Sequence, residues 1–359
     1  MTNVIPAKAG IHVALAIGLA TATLAAQEKP ELLYVCIQDE ARIAVVDMKA
    51  QRVLRTIDLT TLGFPATAKP HHIAVEPSGA NWYVSLIGAN RVLKFDANDK
   101  VVAQFEMETP GMLSIRANSD FLAVSRSMSA VNPPSRIAVV RKSNMQGEEL
   151  DVLFPRPHPV IIAGNGYAYT ASLGVNQIAS IRLADDRVEL TQLPGATHSL
   201  VQFALSPDGN TLVASTEVSG QLLVFSLANA AKPGLVRSIS LGTMAFDPAF
   251  SPDGRFVYVP VKSRNEVAVI ETSAWTVIAR ITHPSILQPQ QVVFSADGST
   301  AFVTNNNRMD HMADPAMAGH VMPTSDKGSL VVIDTRTRGV VKAIELGKNL
   351  TGMNTRART

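Results

Sequence analysis

The chain has 359 residues, 46% of them hydrophobic and 17% charged, with a formal net charge of +2. That composition excludes a disordered chain, and so small a charge, with no basic run, gives no footing for nucleic acid or an anionic membrane as partner. The length suits one large all-β domain or two ordinary ones.

Residues 9–26, AGIHVALAIGLATATLAA, follow Lys8 and run straight into polar QEKPE. An apolar stretch that ends in small residues predicts a secretory signal peptide over residues 1–26, cut after Ala25 or Ala26. It is short and Ala-rich for a membrane span. The mature protein is therefore expected in the periplasm or secreted, with no membrane span after cleavage. Cys36 is the sole cysteine, so no intramolecular disulfide forms; its setting, LLYVCIQ, predicts a small buried hydrophobe.

Three strand-like runs come next: LLYVCIQ, RIAVVDM and RVLRTIDL. From there a turn signal recurs: EPSG at 76–79, ANSD at 117–120, GNG at 164–166, SPDG at 206–209 and 251–254, and SADG at 295–298. A short apolar run precedes each turn. Three β-rich runs follow it, such as WYVSL, RVLKFD and VVAQFEM. Counted from Val75 through Ile115, Ile162, Leu205, Phe250 and Phe294, the spacings are 40, 47, 43, 45 and 44.

Four short strands repeating at this period predict a β-propeller, whose four-stranded sheets bury both faces only by stacking around an axis. Six units carry their own inner strand. The three runs before the first turn lack one, and LTGMNTRART, near the C-terminus, begins as TPGMLSIRA does. Residues 351–357 are thus expected to supply that strand and close a ring of seven blades, removing the open edges. One domain over residues 27–359 follows.

The stretches DEARIAVVDMKAQRVLRTIDL and SRNEVAVIETSAWTVIARI resemble the YVTN-type seven-bladed propellers of exported bacterial proteins, over roughly residues 31 to 350. HHIAVEPSGANWYVSLIGANRVLKFD is similar to blades of NHL-type and streptogramin-lyase-like propellers. The resemblance implies an all-β ring and an exported protein, and leaves the function open between binding proteins and several enzymes.

In a propeller the loop from a blade's fourth strand to the next inner strand shares a face with the loop between second and third strands. The SPDG-type turns lie on the other face and are structural. On the first face, the mouths of the inner strands present His71 and His72, Met112, His158, Gln202 with His198 upstream, Asp247, Gln290 and Gln291. Aligned by the turns, His71 matches His158, and His72 matches Met112, Gln202, Asp247, Gln291 and Met353. Several blades thus aim a polar or soft side chain at one axis.

The last blade carries an insertion at 305–328 on this face, containing RMDHMADPAMAGHVMP. Pro315, Gly319 and Pro323 break it, and neither a 2- nor a 3.6-residue period survives. Long insertions in compact domains tend to be functional or disordered. Met309, His311, Met312, Met317, His320 and Met322 offer thioethers and imidazoles, the donors that suit copper. The metal site expected comprises these six with His71, His72, His158 and His198, and copper as cofactor.

The function expected is an exported binding protein taking a metal ion, a small ligand or a protein on this face, as a monomer. The alternative is an enzyme with a His-lined hub: a copper oxidoreductase, or a divalent-metal-dependent lyase or lactonase. No G-x-S-x-G, H-E-x-x-H, phosphate loop or C-x-x-C-H is present.

Overall fold

The computed structural model describes residues 1–2, 30–128, 135–307 and 326–356. The signal peptide expected over 1–26 lies, but for its first two residues, outside the described residues, and so do all six donors of the 305–328 insertion. Among the described residues no helix is long and apolar enough to cross a membrane.

Seven four-stranded antiparallel sheets form the ring. The first blade combines β1 (Leu32–Ile37), β2 (Arg42–Asp47) and β3 (Arg52–Asp58) with the inner β28 (Leu350–Arg356). Leu32 pairs with Arg356 and Val35 with Met353, so the two ends of the sequence close the ring in one sheet as expected. The other inner strands are β4 (Pro70–Val75), β8 (Pro110–Ile115), β12 (Pro157–Ile162), β16 (Leu200–Leu205), β20 (Ala249–Phe250) and β24 (Pro289–Phe294).

Second and third strands are buried along nearly their whole length, which explains why RIAVVD and EVAVIE read as continuous apolar runs. Outermost strands such as VVAQFE alternate exposed and half-buried residues, and their charges blunt the free edge. Blades meet through apolar clusters. Between the first two, Tyr34, Trp82 and Phe95 stack at centroid distances of 4.6 and 4.0 Å. Asp99 closes that stack by accepting from Trp82 Nε1 at 3.1 Å and from Arg55 Nε at 2.8 Å. Cys36 is fully buried, and burial pushes its thiol well up, as a core residue rather than a nucleophile.

Each inner strand is launched by a residue in the left-handed region: Lys69, Thr109, Arg156, Ser199, Met244, Gln288 and Asn349, with φ between 40° and 59°. None is glycine, and each carbonyl accepts from the backbone N–H just past the same blade's second strand, as in Ile87 to Lys69 at 3.1 Å. A β-bulge follows in β4, β8, β12, β16, β24 and β28. The bulge places two residues where a regular strand places one, so neighbours such as His71 and His72 both reach the mouth of the channel. In the sixth blade the mouth is irregular: Asp247 bridges in parallel to Gln291 of the next blade, and β20 is only two residues long.

Candidate active site at the channel mouth

The bulged ends of the inner strands enclose a cavity of about 20 Å³ lined by His71, His72, Met112, Met128, His158, Val201, Phe246, Asp247, Gln290, Thr351 and Gly352. That volume admits one water-sized species. The closing strand comes very near: a Cβ on Gly352 would sit 2.4 Å from the His71 carbonyl oxygen and 2.6 Å from His72 Cα. Glycine is needed there because another backbone passes alongside.

The hydrogen bonds assign each imidazole. His71 Nδ1 lies 2.8 Å from Gln38 Oε1 and donates to it, which leaves the Nε2 lone pair available. His72 Nδ1 accepts from the Leu113 N–H at 3.2 Å, so its proton is on Nε2. His158 Nδ1 donates to the Val201 carbonyl at 2.7 Å, and its buried Nε2 has no partner. Burial, aided by repulsion from His158, holds His71 and His72 down to about 3, and burial holds His158 down to about 4, so all three are neutral at pH 7.

The bond of His158 replaces one made elsewhere by a hydroxyl. Ser85 Oγ donates to the Gly111 carbonyl at 2.7 Å and Thr304 Oγ1 to that of Thr351 at 3.1 Å; Ser125 Oγ donates to that of His158. Each ties a second strand to the next blade's bulge. At the equivalent junction Ala171 stands where the other second strands carry a hydroxyl, and the Val201 carbonyl is taken by His158 instead.

Asp247 is buried, and its Oδ1 likewise has no partner. Burial raises its carboxyl to about 7, against the opposing pull of the Lys262 ammonium. Lys262 is itself buried, with Nζ 3.9 Å from the centroid of Phe246, and its charge also disfavours the protonated form of His71. The mouth therefore joins a carboxyl that titrates near neutrality, two imidazole lone pairs, one imidazole N–H and a nearby cation.

The other expected members fall elsewhere. His198 is hydrogen-bonded through both nitrogens, to Ser219 Oγ at 2.9 Å and the Pro194 carbonyl at 3.0 Å, and does not line the cavity. Gln202 Oε1 accepts from the Phe203 N–H at 2.9 Å and Gln291 Oε1 from the Met353 N–H at 2.6 Å, so both serve the backbone. Met353 is buried in the core between blades, and the bulge in β28 gives the position matched with His72 to Gly352 instead. Lys262, Phe246 and Met128 were absent from the expected set. Among the described residues no three His, Cys, Asp or Glu side chains form a group able to hold a metal ion.

No family profile matches the chain. SVP1-like protein 2 of Emericella nidulans is 25% identical over 238 residues, covering 61% of this chain and 67% of that protein. A functionally unknown protein from Desulfotomaculum acetoxidans superposes with a TM-score of 0.73 at 16% identity, over 91% of this chain and 99% of the other. The periplasmic gluconolactonase of Pseudomonas aeruginosa superposes with a TM-score of 0.68 at 18% identity, over 92% and 100%. At such identities the two superpositions carry the fold alone.

Proposed function

We propose that this chain is a hydrolase that opens lactones at the channel mouth. The observation that carries the reading is the pair of orphaned buried acceptors facing one cavity, His158 Nε2 and Asp247 Oδ1, with the carboxyl poised near pH 7. Enzymes tune acid–base groups in this way by desolvation. The similarity to a periplasmic gluconolactonase supports the same choice of chemistry.

The cavity is sized for a nucleophile, not for a whole substrate, so the lactone would present its carbonyl from outside. A water held by His158 Nε2 and Asp247 would lose a proton to the Asp247 carboxylate as its oxygen bonds to the carbonyl carbon. His72 Nε2–H would donate to the carbonyl oxygen as it gains charge, with the Lys262 ammonium adding to the favourable field. The tetrahedral intermediate then collapses. The bond to the ring oxygen breaks, and that oxygen takes the proton from Asp247, giving the hydroxy acid. Because the base is the carboxylate, kcat/KM should rise with pH through about 7 and then level. Assay of the purified protein against a panel of lactones tests the reading, and inertness towards all of them at every pH sinks it.

The apolar stretch expected to be a signal peptide over residues 1–26 supports a periplasmic or secreted site for this activity; the N-terminal mass of the cellular protein checks the processing. A binding-protein reading is second. It is favoured by the His71 and His158 lone pairs and the Met112 and Met128 thioethers on one cavity, a donor set suited to Cu(I). Titration of Cu(I) into the protein and its H71A/H158A variant tests it, and equal binding by the two excludes the hub.

A further inference from the structure

On the face that carries the SPDG-type turns, clefts of one kind lie between neighbouring blades, each bordered by turns of the two. Three of them are acidic. Asp208 and Asp253 line the cleft between the fifth and sixth blades, Asp253 and Asp297 the next, and Asp297 and Glu31 the one after, with at most one cation in each. A fourth, of about 420 Å³ between the third and fourth blades, reverses the sign. Arg116 lines it, and no carboxylate does among the described residues.

Two exchanges within a shared turn cause the reversal. The Ser119 N–H donates to the Arg116 carbonyl at 3.3 Å, as those of Gly209, Gly254 and Gly298 do to Ser206, Ser251 and Ser295. Arg116 thus holds the place of those serines, and Asn118 that of the aspartates two residues on. A guanidinium and an amide that can donate replace a hydroxyl and a carboxylate. The guanidinium lies flat on the next blade's turn: a Cβ on Gly164 would sit 2.3 Å from Arg116 Nη2 and 2.6 Å from its Cζ. Lys142 Nζ fixes the backbone beneath it by donating to the Arg116 carbonyl at 3.4 Å. Carboxylates of the neighbouring turns are committed elsewhere. Glu76 accepts from Tyr83 and Asn81, and Asp120 from the N–H and hydroxyl of Ser143. Among the described residues the Arg116 side chain has no hydrogen-bonding or ionic partner.

We propose that this cleft binds a small organic carboxylate, its two oxygens on the Arg116 guanidinium and its apolar body against the half-buried Phe121 and Leu183. A planar guanidinium fork matches a carboxylate in shape and in charge, one for one. A phosphate would keep about half its charge unmatched. The volume falls within the range of small-molecule sites. The cleft lies on the opposite face from the hub and does not depend on the hydrolytic reading.

The probe is benzoate, titrated into the full chain at pH 7 and low salt and followed by ligand-observed NMR, with benzamide, acetate and inorganic phosphate beside it. Benzoate should bind saturably. Benzamide, which lacks the charge, should bind about 10- to 100-fold more weakly, and acetate more weakly for want of an apolar body. Arg116→Met keeps the stem against Gly164 and should lose the same factor, whereas Arg116→Lys, with the charge but not the fork, should lose less. Asp247→Asn, at the hub, should bind benzoate as wild type does. The proposal is overturned by no saturable binding, by benzamide or phosphate matching benzoate, by equal binding in Arg116→Met, or by loss in Asp247→Asn. The benzoate–benzamide comparison needs no variant, so it decides even where Arg116→Met fails to fold.

Discussion

Aspartates on the two faces of this ring behave in opposite ways. On the turn face Asp253 and Asp297 each accept from the serine two residues before, at 2.6 Å, and from the backbone N–H two residues on, at 3.1 and 3.0 Å. Those bonds hold both carboxyls, and that of Asp208, below their usual range. On the entrance face Asp247 has an orphaned oxygen and is raised to about 7. The lesson concerns repetition. Where a blade closes its own turn, the same carboxylate recurs with its needs met locally; where the blades converge, each mouth differs and polar groups remain unsatisfied.

The largest effect that separates the faces should be on activity. Asp247→Asn should lower lactone turnover by about 100-fold or more, the scale of a lost acid–base group, while Asp253→Asn stays within about twofold. Equal activity in the two variants would remove the entrance face from the chemistry.

Stability against pH sharpens the contrast. The folded carboxyl of Asp247 is raised above its unfolded value of 3.8, so its contribution is fully present below 3.8 and lost as pH rises through about 7. Asp247→Asn should therefore gain on wild type across that window, reaching on the order of a few kcal/mol at pH 8. Asp253 has the reverse sign: its lowered pKa contributes above 3.8 and is lost as pH falls, a small effect at so exposed a site. His72 and His158, depressed from 6.5 to about 3 and 4, weaken both proteins alike as pH falls from 6.5 towards 4. Urea melts at pH 5 and 8 would expose a missing Asp247 window.

Glycines offer the next comparison. Gly352→Ala forces a Cβ against the His71–His72 backbone and should cost about 1–3 kcal/mol, with turnover falling as the imidazoles shift. On the turn face Gly254→Ala meets nothing nearer than 3.5 Å and suffers only from its φ of +72°, about 1–2 kcal/mol. Unchanged kinetics in the first variant would disconnect ring closure from the hub. The smallest effect is at the blade-to-blade hydroxyls. Ser85→Ala should cost about 1 kcal/mol, whereas Thr170→Val, which removes a buried hydroxyl that has no partner on its own face of the sheet, should be neutral or slightly stabilising. A clear loss in Thr170→Val would show that the hydroxyl has a partner.

The ring itself was legible in the sequence because its causes are local and repeated: a turn, an apolar run and a β-rich triplet every 40 to 47 residues. So was the seam, since LTGMN resembles the start of another inner strand. His71, His72, Met112, His158 and Asp247 were found by aligning the mouths. Met353 was misplaced by one residue because a bulge adds a position that alternation cannot reveal, although proline at 70, 110, 157 and 289 marks where four of the six bulges begin. His198, Gln202 and Gln291 have the right residue types in nearly the right places, yet backbone groups claim them. Lys262 and Phe246 escaped notice because their importance comes from sitting beside Asp247, across a break in the blade that Pro248 alone hints at.

The glycine seam also sets a timetable. On a ribosome β1, β2 and β3 appear early, but the strand that completes their sheet is residues 350–356. At about 10 residues per second that is a wait of roughly half a minute. During it, three strands carry an exposed inner edge, and the seventh blade has no neighbour to lean on. Thr351 and Gly352 in the same strand complete the cavity wall. A molecule clipped after residue 349 would thus forfeit its circle and its hub together, so an intact cavity wall marks that the last strand has arrived and docked.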